Sequence, residues 1–211
     1  MYKRQPLGHP SCYHLPLEVV NKAIDRYPDR FFGLYGVDPT QGMKAVRELR
    51  YAVEELGYVG AHGYPHWFEL PLDHARWYPI YAKCCELDVP IQHQIGQSLI
   101  YAADYPVRSV GQPITMDAVA CDFPELKLIG IHVGIPWTEE AIAMAWKHKN
   151  VFLGCDAHSP KYWPESFVHY INTYGQDKVI FGTDFPVLDF ERTRAEIEAL
   201  GFIALIVTQN V

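Results

Sequence analysis

The sequence predicts an α/β fold of parallel-sheet type, built from about six β/α units. Three observations carry that expectation. Short apolar runs alternate with amphipathic stretches along the whole chain. The runs show little polar alternation, as expected of strands covered on both faces. Gly, Pro or Asp closes nearly every segment.

Leu17–Arg26 reads as a helix after Pro16, with Val19, Val20, Ala23 and Ile24 at helical spacing, stopped by Pro28. Phe31–Val37 is the first strand, closed by Asp38 and Pro39. Gln41–Leu56 is a helix with Val46, Leu49, Val53 and Leu56 as its apolar stripe and Gly57 as its stop. Tyr58–Ala61 is a short strand. Leu72–Leu87 is helical, with Pro79 marking a kink or a late start. Strand Val89–Ile95 leads into a loop rich in Gly, Ser, Tyr and Pro. The remaining units are helix Ile114–Cys121, strand Leu126–Ile131, helix Glu139–Lys147, strand Val151–Gly154, helix Lys161–Tyr174, strand Lys178–Phe181 and helix Phe190–Leu200. A barrel of eight parallel strands and an open doubly wound sheet both fit this order. No G-x-G-x-x-G, Walker A or G-x-S-x-G motif occurs, which disfavours the dinucleotide, P-loop and serine-hydrolase versions of the open sheet.

The 211 residues suit a single domain, and 49% hydrophobic content is enough for a core. The net charge of −7, without a basic block, argues against nucleic acid or an anionic membrane as partner. No apolar run approaches the roughly 20 residues of a membrane span. The first residues lack the apolar core of a secretory signal, so a cytoplasmic location is expected. Five cysteines (Cys12, Cys84, Cys85, Cys121 and Cys155) without a C-x-x-C read as packing residues rather than a disulfide or cysteine-zinc framework.

In a parallel barrel the chemistry gathers at the carboxyl ends of strands. Those positions hold Asp38, His62, His93, His132, Cys155 with Asp156, and Asp184. Imidazole and carboxylate are ligands of zinc and similar ions, and their spacing excludes a zinc finger. Asp184, in VIFGTDFP, reads as ligand or base against a turn or N-cap Asp. His132, in LKLIGIHVGIPW, reads as ligand or acid against a core histidine. His93 competes with Gln92, Gln94 and Gln97, because a one-residue slip reverses a strand's faces. His62 and His66 lie in GAHGYPHW, where Gly63 and Pro65 favour a loop. Tyr64 and Trp67, with Trp137, are candidate walls of a pocket for a flat cyclic acid, and His158 is a candidate substrate contact. His9, His14, His148 and His169 read as surface or packing residues.

The segments GIHVGIPW, NVFLGCDAHSPKYWP and KVIFGTDFP, with RYPDRFFGLYGVDP and LRYAVEELGYVGAHGYP earlier, resemble the amidohydrolase-2 (amidohydrolase-related) family over about residues 17–200. The resemblance implies a distorted (β/α)8 TIM barrel and a metal-dependent hydrolase or non-oxidative decarboxylase, akin to the aminocarboxymuconate semialdehyde and resorcylate decarboxylases. It implies a divalent metal, Zn2+ by expectation. By resemblance Asp184 is the metal-binding Asp after the last strand, and His132 is the family's proton-transferring His. His93 lies near the family's middle-strand ligand, whose place one Gly further on is taken here by Gln97.

The family's H-x-H pair occurs nowhere in this chain. The barrel is therefore expected to be truncated at both ends, with metal affinity weakened or lost. Exposed edges on its first and last strands would need another cover, homo-oligomerisation or a different closure. The resemblance implies a small carboxylated cyclic or aromatic substrate as the expected partner. Two alternatives stand beside this reading: a catalytically incomplete fragment that self-associates, and a metal-independent lactonase using His132 and Asp184.

Overall fold

In the computed structural model, residues 17–98 and 107–201 are described. The expectations for His9, Cys12 and His14, and that of a barrel truncated at both chain ends, fall on residues outside them. Six strands form one wholly parallel sheet in sequence order: β1 (Leu34–Gly36), β2 (Gly60–Gly63), β3 (Ile91–Gln94), β4 (Leu128–Ile131), β5 (Val151–Gly154) and β6 (Val179–Ile180). Parallel neighbours in sequence order require a crossover at each step. The crossovers are α2 (Met43–Leu56), α3 (Pro65–Phe68) with α4 (Tyr78–Glu86), α5 (Met116–Asp122), α6 (Thr138–Lys147) and α7 (Glu165–Asn172). They are preceded by α1 (Leu17–Arg26) and followed by α8 (Phe190–Ala199).

β5 has the expected bounds, β2 has the expected length but lies two residues later than Tyr58–Ala61, and the other four strands pair over only part of their apolar runs. Pro79 marks a late start: α4 begins at Tyr78, with the proline in its first turn, where no amide hydrogen is needed. The loop expected after β2 contains the one-turn helix α3, for the same reason at Pro65. A 3-10 turn at Pro160–Tyr162 delays the helix expected from Lys161, so α7 starts at Glu165.

The core lies between the sheet's convex face and the helices. Trp77, Tyr81, Leu49, Ile91, Leu128 and Phe167 are all fully buried there. The concave face curls around a cavity of about 450 Å3, whose walls include Leu34 of β1 and Ile180 of β6. Among the described residues β1 and β6 do not pair with each other, so the ring stays open between them.

Register assigns each side chain to a face. Gln92, Ile129, Ile131, Gly154 and Ile180 line the cavity. His62 is in register with Gln92, and Gln94 with Ile131, so both share the concave face. His93 falls on the opposite face, which corrects the expectation that it is a metal ligand. Its ring packs edge-on to Trp77, with centroids 4.7 Å apart, and its Nε2 lies 3.1 Å from the Tyr81 hydroxyl. Tyr81 donates its own proton to the Leu72 carbonyl at 2.8 Å, so His93 must donate to Tyr81. Fully buried there, His93 is pushed down to about 3 and remains neutral.

A Cβ added at Gly63 would run into the His93 ring. Gly63→Ala is expected to destabilise the protein by about 1–3 kcal/mol, measured as a lower urea midpoint at unchanged m-value.

Candidate active site

Chain geometry at the carboxyl ends of β4, β5 and β6 brings three side chains together. His132 and Val133 follow β4 with φ of 74° and 58°, Ala157 lies beyond β5 at 63°, and Asp184 follows β6 at 54°. Four of the six left-handed non-glycine residues found among the described positions are therefore at this rim. Each costs about 1–3 kcal/mol, and for β-branched Val133 the conformation is a true outlier.

What holds the rim is a side chain. Asp156 Oδ1 accepts the backbone N–H of His132 at 2.7 Å. Gly182 allows the close approach of β6, since a Cβ there would stand 2.9 Å from the Asp156 Cβ.

The result is a triad. His132 Nε2 is 3.6 Å from Asp184 Oδ2 and 3.9 Å from Asp156 Oδ2. Two donors each about 2.1 Å from one ion stand about 3–4 Å apart, so these separations fit a shared cation. The charge fits as well. Within the triad two ionised carboxylates face one imidazole, leaving net negative charge even with the histidine protonated, in a place where both His132 and Asp156 are 9% exposed. A divalent cation balances that charge.

Around the triad, Tyr64 sits at the end of β2 with its phenol kept protonated, chiefly by burial. Its oxygen interacts with Trp67 and Gln94, and the Asp184 charge acts in the same direction as burial. Trp67 packs edge-on against Tyr64 at 5.1 Å. His62 is buried on the concave face, its ring 6.3 Å from Tyr64. His66 accepts the Val110 N–H at Nδ1 (3.1 Å), so its proton is on Nε2, and burial lowers it to about 4.

Other expected residues stand apart or at the margin. Gln97 lies beyond Gly96, tied by its backbone to the Ile135 carbonyl at 2.8 Å. Trp137, half-buried, opens α6 through a 2.7 Å bond from its N–H to the Gly134 carbonyl. His158 is half-buried, its backbone N–H bonded to the Asp156 carbonyl at 2.7 Å. Burial lowers its pKa against the opposing field of Asp156. Sequence reasoning named Asp156 at a strand end, Gln94 as a rival of His93 and His66 in the loop after β2, but assigned none of them a role in the site. For Asp156 the signal was present, a carboxylate two residues after a strand.

Comparison with known proteins agrees with this architecture. The amidohydrolase-2 family profile, described as Amidohydrolase, matches residues 4–207. The chain belongs to that family. A curated relative from a Sphingobium species, 2-keto-4-carboxy-3-hexenedioate hydratase, is 32% identical over 88 residues, covering 38% of this chain and 26% of the relative. The gamma-resorcylate decarboxylase of Rhodococcus jostii is 23% identical, over 80% of this chain and 64% of the relative. These matches span less than two thirds of either curated relative. A TIM-barrel protein of Bordetella bronchiseptica superposes with a TM-score of 0.75 at 23% identity, covering 90% of this chain and 67% of that one. The 5-carboxyvanillate decarboxylase of Novosphingobium aromaticivorans, solved with manganese and a nitrobenzoic acid, gives 0.64 at 19% identity, covering 84% and 61%.

Two of the buried histidines, His93 and His66, set a pH dependence. In the unfolded chain an imidazole titrates near 6.5, whereas His93 and His66 in the fold lie near 3 and 4. Between those values the unfolded chain binds more protons, so stability rises with pH. The contribution is whole above pH 6.5 and drains as the pH falls towards 4. Each histidine is expected to add a slope of up to about 1.4 kcal/mol per pH unit. His93→Gln should remove one such increment, read from urea unfolding at pH 5 to 7.

Proposed function

We propose that this chain is a metal-dependent amidohydrolase-type enzyme, a hydrolase or non-oxidative decarboxylase, acting on a small cyclic or aromatic carboxylate. The observation that carries the proposal is the meeting of His132 with both Asp184 and Asp156 at the cavity rim. His132, Asp156 and Asp184 would hold the divalent ion. When bound, that ion would orient the substrate's carboxylate and polarise the bond that reacts.

The protein's own groups do the remaining work. His132 has two exclusive roles: ligand through Nε2 or, with that nitrogen off the ion, the acid that carries a proton there. In a decarboxylation the bond to the carboxyl carbon breaks, carbon dioxide leaves, and this proton goes to the vacated carbon. Tyr64, kept protonated, and His66, neutral with hydrogen on Nε2, are donors suited to a substrate oxygen. Trp67 and Trp137 supply flat apolar surface for a ring. Gln97, His62 and His158 are proposed as outer contacts of the bound acid.

Three features support this reading: the family membership, the decarboxylases of the same fold and the donor set. Two carboxylates with one imidazole suit manganese as well as zinc. The hydratase match favours including water addition to an unsaturated keto acid among the reactions assayed. Among the described residues no strand pairs with the outer edge of β1 or β6, which supports a homo-oligomeric working form, read by analytical ultracentrifugation.

The test uses purified chain supplied with Mn2+ or Zn2+, assayed for carbon dioxide release from 2,6-dihydroxybenzoate and 5-carboxyvanillate and for hydration of a carboxylated unsaturated keto acid. Asp184→Asn and His132→Asn are expected to lower kcat by about 10²–10⁴-fold, and chelation should abolish turnover. Wild-type rates in Asp184→Asn would overturn the proposal. Lactone turnover that resists chelator would instead favour metal-independent acid–base chemistry.

A further inference from the structure

A second group of metal-binding side chains lies at the opposite end of the sheet. Asp117 and Cys121 are four residues apart on α5 and so share a face. His148 follows α6, two residues before Asn150 leads into β5. Its Nε2 stands 2.6 Å from Asp117 Oδ1, and one donor atom from each of the three residues lies within 4.8 Å of the others. Because helices run back against the strands, this cluster sits at the amino-terminal end of the sheet, away from the His132 rim.

The backbone carrying His148 is held in place. The Lys178 ammonium donates to the carbonyls of His148, Lys149 and Val151 at 2.7, 2.9 and 3.1 Å. The His148 ring is 10% exposed, whereas Cys121 is at the surface where an ion can reach it. Thiol, imidazole and carboxylate together are the donor set of a borderline-soft ion in four-coordinate geometry, with a fourth position left for water.

We propose that Asp117, Cys121 and His148 form a second metal site, binding a thiophilic divalent cation of the zinc class and clamping α5 to the junction of α6 and β5. The proposal is independent of the reaction assigned to the other end of the barrel. Binding releases the thiol proton of Cys121 and the proton shared between His148 Nε2 and Asp117. Lys147, whose ammonium stands 2.6 Å from the same Asp117 oxygen and whose side chain is 55% exposed, must swing into solvent. Lys147 is therefore a competitor for the site.

Sulfur makes the two sites separable, since the His132 rim offers only nitrogen and oxygen from its triad. The experiment titrates the purified full chain with Co2+ and follows sulfur-to-cobalt charge-transfer absorption, with Zn2+ thermal shifts in parallel. The band is expected in wild type and in Asp184→Asn. It should be lost in Cys121→Ser, a surface change whose folding is checked by circular dichroism. His148→Ala should weaken binding by at least about tenfold, and Lys147→Gln should tighten it by about the same factor. A missing band in wild type, a band that survives Cys121→Ser, or Lys147→Gln binding no more tightly than wild type would overturn the proposal.

Discussion

The bond from the His132 backbone N–H to the Asp156 carboxylate is the interaction on which the rest of the rim depends. It crosses from the end of β4 to the end of β5 and fixes a chain that has just entered a left-handed turn at His132, Val133 and Gly134. Without an acceptor at that point, the buried amide would be orphaned and the strained turn would have nothing to oppose it. With it, the imidazole is presented toward Asp184 rather than along the strand. Asp156 thus has two tasks, one oxygen serving the backbone and the other facing the imidazole.

The open ring between β1 and β6 is the second determining feature. The same curl that brings Leu34 and Ile180 to one cavity lets the ends of β4, β5 and β6 converge. The three triad residues come from adjacent strands, so their meeting does not require the circle to close. The surroundings of the cavity mouth, where Phe185 is 72% and Val187 61% exposed, are the part that an open ring leaves least covered.

Much of this was legible in the sequence because the governing periodicities are local. Apolar runs bounded by Gly, Pro and Asp marked all six strands, and the rule that parallel strands end in chemistry pointed to His132 and Asp184. His93 was misplaced because a face assignment depends on odd or even position. Its run also admitted Gln92 and Gln94, and only pairing with β2 and β4 decides among them. Asp156 was placed at a strand end but given no role, because that role is a bond to a residue 24 positions earlier, which no local pattern encodes. The one-turn helix at Pro65 and the delayed start of α7 followed from proline's fitness for a first turn, a weaker signal than its reputation as a breaker.

Since the concave-facing set is decided by parity, the strands and the connections between them must respond to length changes in opposite ways. One residue inserted within β3 would exchange Gln94 for His93 at the rim and send the other into the packed layer of Trp77 and Tyr81. The same insertion in a connecting loop would leave every face unchanged. Descendants of this chain can therefore drift freely in the size of their connections, while each strand evolves as a ruler whose markings cannot be shifted one at a time.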